Sequence, residues 1–186
     1  MDERPLPGED ALGYVLRLAQ SKAQAVVERS PLEDTIFAAD TTVVDRGQIL
    51  GKPSDALEAE SMLRRLRGRQ HQVFTALAVV RRSENFQVTD WCATDVPMRA
   101  YSDEEMNAYI ATGDPLDKAG AYAIQHPDFK PVSELQGCFA NVMGLPLCHA
   151  RRSLARLGIR TDKNIPQACQ EELHYCCSFF HLVTAG

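Results

Sequence analysis

Two residues of opposite charge, close together in the chain, give the first chemical signal in the sequence. Asp40 follows the apolar run 36–39, which is typical of a buried parallel strand, and Lys52 follows a second apolar pair, 49–50. A hairpin-type turn at 45–47 predicts that the two runs pair. Open α/β sheets bind ligands beyond the carboxyl ends of their strands, so we expect both side chains in one cleft. An acid that holds a metal ion or activates water, beside a lysine that neutralises phosphate, suits phosphate-ester hydrolysis.

A second stretch that could do chemistry is 114–125, DPLDKAGAYAIQ. Lys118 offers a compact positive charge for a phosphate, and the small residues 119–121 allow the backbone to come close to a ligand. Gln125 is a candidate for a hydrogen bond to a base or to water. Tyr122 has two interpretations, stacking on a base or packing in the core, and the second is favoured.

The spacing of apolar residues, together with residues typical of helix ends, predicts the helices and strands that must position these side chains. Residues 11–29 have the pattern of an amphipathic helix, with Lys22 on or near the apolar face, either as an extended stem or as a ligand group. Further helices are predicted over 55–67, 102–112 and 147–157, and strands over 71–80, 86–100 and 138–142. Asp55 or Ser54 caps the second helix, Ser102 and Glu105 form a capping box, and Pro146 takes the first helical position.

Composition limits the classes of protein to consider. A length of 186 residues predicts one domain, and 45% apolar with 24% charged residues is ordinary for a soluble globular protein. The net charge of -5 argues against a general nucleic-acid binder. No stretch reaches the ~20 apolar residues of a membrane span. The acidic, proline-containing N-terminus does not resemble a signal peptide, so we expect a cytoplasmic protein with reduced cysteines.

Three blocks, in the same order, resemble the Maf/Ham1-like nucleotide pyrophosphatases. They are the stretch 39–79, the stretch 114–125 and NVMGLPL at 141–147, and the similarity extends over about residues 2–158. The resemblance implies hydrolysis of a nucleoside triphosphate to a monophosphate and pyrophosphate. The Asp-Lys-Ala-Gly-Ala-Tyr form of the second block is similar to members that act on dTTP and UTP, with modified nucleotides as further substrates.

The resemblance also assigns roles to residues of this sequence. Lys22 is expected to face the nucleotide pocket, and Glu3 to help bind Mg²⁺ or Mn²⁺ together with Asp40 and the triphosphate. Thr41, which follows Asp40, is a candidate substrate contact. The predicted site is therefore catalytic Asp40, Lys52 and Gln125, substrate-binding Lys22, Lys118 and Thr41, and metal-binding Asp40 and Glu3.

For the fold, we expect an α/β domain over residues 1–160, an elongated mixed sheet around a central cleft with flanking helices, followed by a tail over 161–186. Family members begin with a strand and an S-x-S-P-R-R phosphate loop, which this sequence lacks. A late start, a shortened member and a strand supplied by another subunit are three explanations, all of which stay open. Members are often homodimers and are linked to septum formation.

Two alternative functions remain at this point. The lack of the phosphate loop favours a non-catalytic nucleotide-binding or division-regulatory relic of the same family. The Cys/His-containing tail, with Cys169, His174, Cys176, Cys177 and His181, invites a zinc interpretation, but its spacing is not that of a zinc motif. A loosely packed tail, or one docked through its two phenylalanines, is favoured instead.

Overall fold

The computed structural model describes residues 3–184, with one four-stranded sheet at its centre in the spatial order β2-β1-β3-β4. Its strands are β1 (Thr35–Asp45), β2 (Gln48–Leu50), β3 (Gln70–Arg81) and β4 (Phe86–Pro97). The expected α/β class is confirmed. All three pairings in the described part are antiparallel, so the parallel pairing expected for 36–39, and with it the mixed sheet, is wrong there.

The apolar run 36–39 is explained by cover on both faces of β1 and not by parallel pairing. Ile36 and Ala38 pack against the first helix, while Phe37 and Ala39 point to the other, partly covered face of the sheet. A strand covered on both sides reads as apolar whichever way its neighbours run. The predicted hairpin is confirmed: Arg46 and Gly47, both with positive φ, join β1 to β2 as a two-residue turn.

Seven α-helices of the described chain pack around the sheet. They are α1 (Ala11–Val27), α2 (Ala56–Leu66), α3 (Asp103–Ala111), α4 (Phe139–Val142), α5 (Leu147–Ala155), α6 (Ile165–Leu173) and α7 (Phe180–Thr184). The Asp55 side chain caps α2, and the predicted capping box of Ser102 and Glu105 is present at α3. Both caps satisfy backbone N–H groups that the first helical turn leaves without partners.

The sheet separates two apolar cores. On one face, α1 packs Leu18 and Ala19 against Ala76 and Ala78 of β3. On the other face, the core joins Val43, Val73 and Val96 to α2, α3 and the segment 119–129. Because side chains alternate along a strand, neighbouring residues of β1 belong to different cores, which matters for the site.

Residues 138–142 form the short helix α4, so the strand expected there is wrong. The cause is a long-range one: the buried Asn141 donates its side-chain amide to the Val73 carbonyl and to the Thr94 hydroxyl. This amide docks the segment on the face of the sheet rather than at its edge. Pro146 is the extended cap residue before α5, not its first helical residue.

The tail packs on the domain. The Tyr175 hydroxyl lies 3.0 Å from the carbonyl oxygens of both Leu135 and Gly137, and its ring contacts Phe139. Across residues 3–184, none of the helices has the length and apolar character of a membrane-spanning segment.

His71, at the start of β3, is buried and pairs with Tyr122, with 2.8 Å between Nε2 and the tyrosine hydroxyl. Burial lowers the pKa of the imidazole to about 4. An ionised imidazole here would have to give up water without a carboxylate partner. The residue is therefore structural and neutral, and Tyr122 is anchored in the core as favoured above.

We expect this histidine to make the protein acid-sensitive. In the unfolded chain His71 takes up a proton below pH ~6.5, whereas in the folded chain it stays neutral down to a pKa of about 4. Stability should therefore fall as the pH decreases from about 6.5 to about 4, by roughly 3 kcal/mol from this residue. Urea unfolding across this range measures the effect.

The variant His71→Gln should show a flatter dependence of unfolding free energy on pH between these limits. The matched control is His181→Gln, which changes an exposed histidine of α7 and should keep the wild-type slope. Equal slopes in the two variants would contradict the assignment.

Candidate active site

A cleft of about 570 Å³ opens where α1, β1 and the segment 117–122 meet. Six of the seven site residues predicted from the sequence line it: Glu3, Lys22, Asp40, Thr41, Lys52 and Lys118. Gln125 does not. Its side chain is exposed and lies outside the cleft, although it directly follows the buried Ile124.

Asp40 and Lys22 form the central ion pair of this cleft. The Asp40 side chain is only 8% exposed, and its Oδ1 accepts a hydrogen bond from Lys22 Nζ. Burial raises the pKa of the Asp40 carboxyl above its ordinary value, and the Lys22 ammonium opposes this shift. A buried carboxylate has a high affinity for positive charge, because a nearby cation compensates for the hydration that the carboxylate lost on burial.

Glu3 adds a second carboxylate to the same pair. Its Oε1 lies 4.0 Å from Lys22 Nζ, and its negative charge also raises the pKa of Asp40. The Tyr14 hydroxyl fixes this residue by donating to the Glu3 carbonyl at 2.8 Å. Tyr14, Leu18 and Lys22 are spaced four residues apart on α1, and all three line the cleft.

The donor set fits a divalent cation that arrives with phosphate, rather than a cation held by protein alone. Among residues 3–184, no group of three or more histidine, cysteine or acidic side chains could enclose a metal ion. Mg²⁺ commonly uses one or two carboxylates together with substrate phosphates and water. Asp40 and Glu3, on either side of Lys22, provide that number of carboxylates.

The opposite wall brings Lys52 and Lys118 together through a backbone contact. The Gly120 N–H donates to the Gly51 carbonyl at 3.0 Å, so the segment that follows Lys118 lies against the residue before Lys52. Lys118 pairs with Asp117, and this carboxylate raises the lysine pKa. Within the described residues, Lys52 has no carboxylate at ion-pair distance.

Thr41 connects the cleft to the core of the domain. Its hydroxyl lies 2.9 Å from that of Thr75, which in turn donates to the Asn141 carbonyl at 2.9 Å. Because the single Thr75 proton is used in this second bond, Thr41 is the donor in the first. The Thr41 oxygen keeps lone pairs that can accept a hydrogen bond, and Thr41 lines the cleft.

A family model described as Maf-like protein matches residues 1–157. The chain belongs to the Maf-like family. This match covers the whole of the cleft described above and ends at the C-terminal side of α5.

Three curated relatives of this Maf-like chain show how far the similarity extends. A protein named dTTP/UTP pyrophosphatase from Thermomicrobium roseum is 47% identical over 158 residues, which cover 83% of this chain and 71% of the relative. One of the same name from Geobacter sp. is 43% identical over 159 residues, with coverages of 85% and 81%. A third, from Geotalea uraniireducens, is 45% identical over 158 residues, with coverages of 85% and 81%.

The sequence did not identify three residues that shape the Maf-like cleft: Tyr14, Thr75 and Asn141. Tyr14 could have been found, because it shares a helix face with Lys22. Thr75 has the residue type of an ordinary strand former, and only its pairing opposite Thr41 in the β1–β3 register gives it a role. Asn141 acts through partners some 45 or more residues away in the chain, which no local pattern reveals.

We expect Lys22 to keep the Asp40 carboxyl more acidic than burial alone would allow. In Lys22→Met, loss of the ammonium should raise the Asp40 pKa further, because the ionised form loses its partner. Titration of the carboxyl ¹³C resonance of Asp40 measures this change. Lys163→Met, at an exposed lysine of the tail, is the control and should leave the midpoint unchanged. A lower midpoint in Lys22→Met would contradict the pairing.

Gly120 should tolerate no side chain. It has a positive φ of 69°, and a Cβ atom would lie 2.9 Å from Cγ1 of Val43. Gly120→Ala should therefore destabilise the fold by about 2–4 kcal/mol, from backbone strain and overpacking together. The control Gly113→Ala also has a positive φ but meets open space, so it should cost only about 1 kcal/mol. Urea unfolding of both variants separates the effect of packing from that of backbone strain. Equal losses of unfolding free energy in the two variants would contradict the proposed clash with Val43.

Proposed function

We propose that the chain is a nucleoside triphosphate pyrophosphatase that releases pyrophosphate from dTTP and UTP. The observation that carries the proposal is the buried Asp40 carboxylate in a cleft with three lysines from three separate parts of the fold. The names of the relatives support the choice of substrates. Removal of modified nucleotides is the biological role that such an activity would serve.

The arrangement of charges suits a triphosphate chain. Lys52 faces the cleft without a carboxylate partner among the described residues, so its charge is available to a phosphate group. Lys118 and Lys22 are held by carboxylates until a ligand arrives, and phosphate oxygens can then share these ammonium groups. Charge that builds on the phosphates during P–O cleavage is stabilised by such prearranged cations.

Asp40 is the group best placed to activate water. Its carboxylate must be ionised to accept a proton from the water that attacks the α-phosphorus. Burial gives this carboxylate a raised pKa, which makes it a stronger base than an exposed aspartate. Thr41, the next residue on β1, would position the substrate through its hydroxyl.

Mg²⁺ or Mn²⁺ would be held by Asp40 with Glu3 and by oxygens of the triphosphate. Such an ion supplies charge neutralisation and orientation of the phosphate chain. Removal of divalent ions with EDTA should therefore abolish turnover, and Mg²⁺ should restore it.

Three finer expectations remain predictions: a homodimer and a link to septum formation from the family resemblance, and a cytoplasmic location from the sequence of the N-terminus. Light scattering after size-exclusion chromatography tests the first of them.

Pyrophosphate release from dTTP, UTP, CTP, dATP and dGTP tests the proposed function. We expect turnover of dTTP and UTP to exceed that of the purine nucleotides, and Asp40→Asn to lower kcat by about 10³-fold or more. Lys52→Gln should lower it by about 10–100-fold. The acidic limb of the pH profile of kcat/KM, which reports the free enzyme, should lie above the ordinary aspartate value of about 3.9, because Asp40 must lose its proton.

The control variant is Asp95→Asn, which changes an exposed aspartate of β4 outside the cleft. It should keep wild-type turnover. Nucleotide binding without turnover in the wild-type protein would instead favour the non-catalytic relic, and full activity in Asp40→Asn would mean that the base lies elsewhere.

A further inference from the structure

A second cavity, of about 440 Å³, lies at the β4 edge of the sheet, between β4, α5 and the tail. Four of the six cysteines line it: Cys92, Cys138, Cys148 and Cys177. They come from four different parts of the chain, and most of the other lining residues are apolar or aromatic. The cavity shares no lining residue with the cleft.

Cys92 and Cys138 are direct neighbours in this cavity. Cys92 and Thr94 lie two residues apart on β4 and so point to the same face of the sheet. The Thr94 hydroxyl contacts the Cys138 carbonyl at 3.4 Å, and Gly137 packs closely on the Thr94 methyl group. Both side chains line the same cavity, so the Cys138 thiol lies near that of Cys92, and the interaction between the two thiols shifts the pKa of both.

The two thiols differ in their affinity for a proton. The Cys92 thiol and the N–H groups of Asn141 and Ala140 stabilise the Cys138 thiolate and, against burial, lower the pKa of Cys138 to about 7. The hydrogen bond to Cys138 and burial both raise the pKa of Cys92. Burial also raises the pKa of the nearby Cys148 to about 11.

Other titratable groups face the pair without changing this order. His149 of α5 is buried, and burial lowers the pKa of its imidazole, so it remains neutral. Asp90 of β4, which is bound by Arg152, adds negative charge near Cys92. Among these groups, Cys138 is therefore the thiol with the most thiolate character at neutral pH.

We propose that Cys92 and Cys138 are a peroxide-oxidisable dithiol, and that their disulfide restrains the 138–144 segment, which forms one wall of the cleft. The Cys138 thiolate attacks one oxygen of hydrogen peroxide, which breaks the O–O bond and leaves a sulfenic acid and hydroxide. The Cys92 sulfur then attacks the sulfenic sulfur, and the hydroxyl group leaves as water with the Cys92 proton. Two thiols are oxidised to one disulfide, and the peroxide is reduced to two water molecules.

The 138–144 segment connects the two cavities. Cys138 lines the second cavity, whereas Val142 and Met143 line the cleft. Between them, the Asn141 carbonyl accepts the bond from Thr75 that supports Thr41. A covalent bond at Cys138 therefore acts on the cleft wall through four residues of chain.

Peptide mapping of the full chain under non-reducing conditions tests the proposal. The reduced protein is treated with a small excess of hydrogen peroxide, blocked with iodoacetamide and digested. We expect a Cys92–Cys138 cross-linked peptide with the mass lowered by two hydrogens, which dithiothreitol reverses. A different cysteine pair, or overoxidised Cys138 without a cross-link, would overturn the proposal.

The pH dependence of alkylation by monobromobimane separates a reactive pair from two merely neighbouring thiols. In the wild-type protein, modification of Cys138 should be half-maximal at a pH below the ordinary thiol value of about 8.5. In Cys92→Ala the profile should move toward the ordinary thiol value of about 8.5, because the donor to the thiolate is lost. The control Cys176→Ala removes an exposed thiol and should leave the profile unchanged. An unchanged profile in Cys92→Ala overturns the proposed roles.

Two measurements test whether the disulfide restrains the 138–144 segment. Amide hydrogen exchange of this segment should slow at least severalfold on oxidation, and this measurement does not depend on the proposed function. Turnover of dTTP, which does rest on it, should fall on oxidation, recover with dithiothreitol and be unaffected by peroxide in Cys138→Ala. Unchanged exchange in the cross-linked protein overturns the restraint, whereas absence of turnover before oxidation would count against the proposed function alone.

Discussion

The ion pair between Asp40 and Lys22 is the constraint on which the cleft depends. A carboxylate buried at the centre of a sheet loses its hydration. The Lys22 ammonium group, on the helix packed against that face, compensates for part of the free energy that this loss costs. The pair exists only because Asp40 lies opposite Ala76 in the β1–β3 register, on the face covered by α1. A shift by one residue would turn Asp40 to the other face and Thr41 toward α1.

The alternation of β1 also explains why the cleft has two kinds of wall. Asp40 points to α1 and its lysine, whereas Thr41 and Val43 point to the other face, where Gly120 packs on Val43. The close contact at Gly120 sets the position of Lys118 beside Lys52. Three lysines would repel one another in an empty cleft, and Asp40 and Asp117 offset this repulsion until phosphate groups take their place.

Local chemistry was sufficient to predict the hairpin, the caps of α2 and α3, and Asp40, Lys52 and Lys118 in the site, whereas Glu3, Lys22 and Thr41 were predicted from the family resemblance. Asp40 and Lys52 were predicted together because Asp40 was expected at the end of a strand. Both do line the cleft, but Asp40 lies in the middle of β1. Gln125 was expected in the site by resemblance, and the structure places its side chain outside the cleft. The helix at 138–142 could not be predicted, because four residues show no periodicity and its cause is the Asn141 amide docked on two strands.

The cysteines illustrate the same limit of sequence reasoning. Their spacing resembles neither a disulfide framework nor a metal motif, yet the fold brings four of them to one cavity. The tail beyond the family match closes this cavity, since Cys177 lines it and the Tyr175 hydroxyl binds the carbonyls that flank Gln136. The tail thus packs on the chain that leads directly into the 138–144 segment. The packing of the tail is thereby connected to the cleft wall through the chain from Leu135 to Met143.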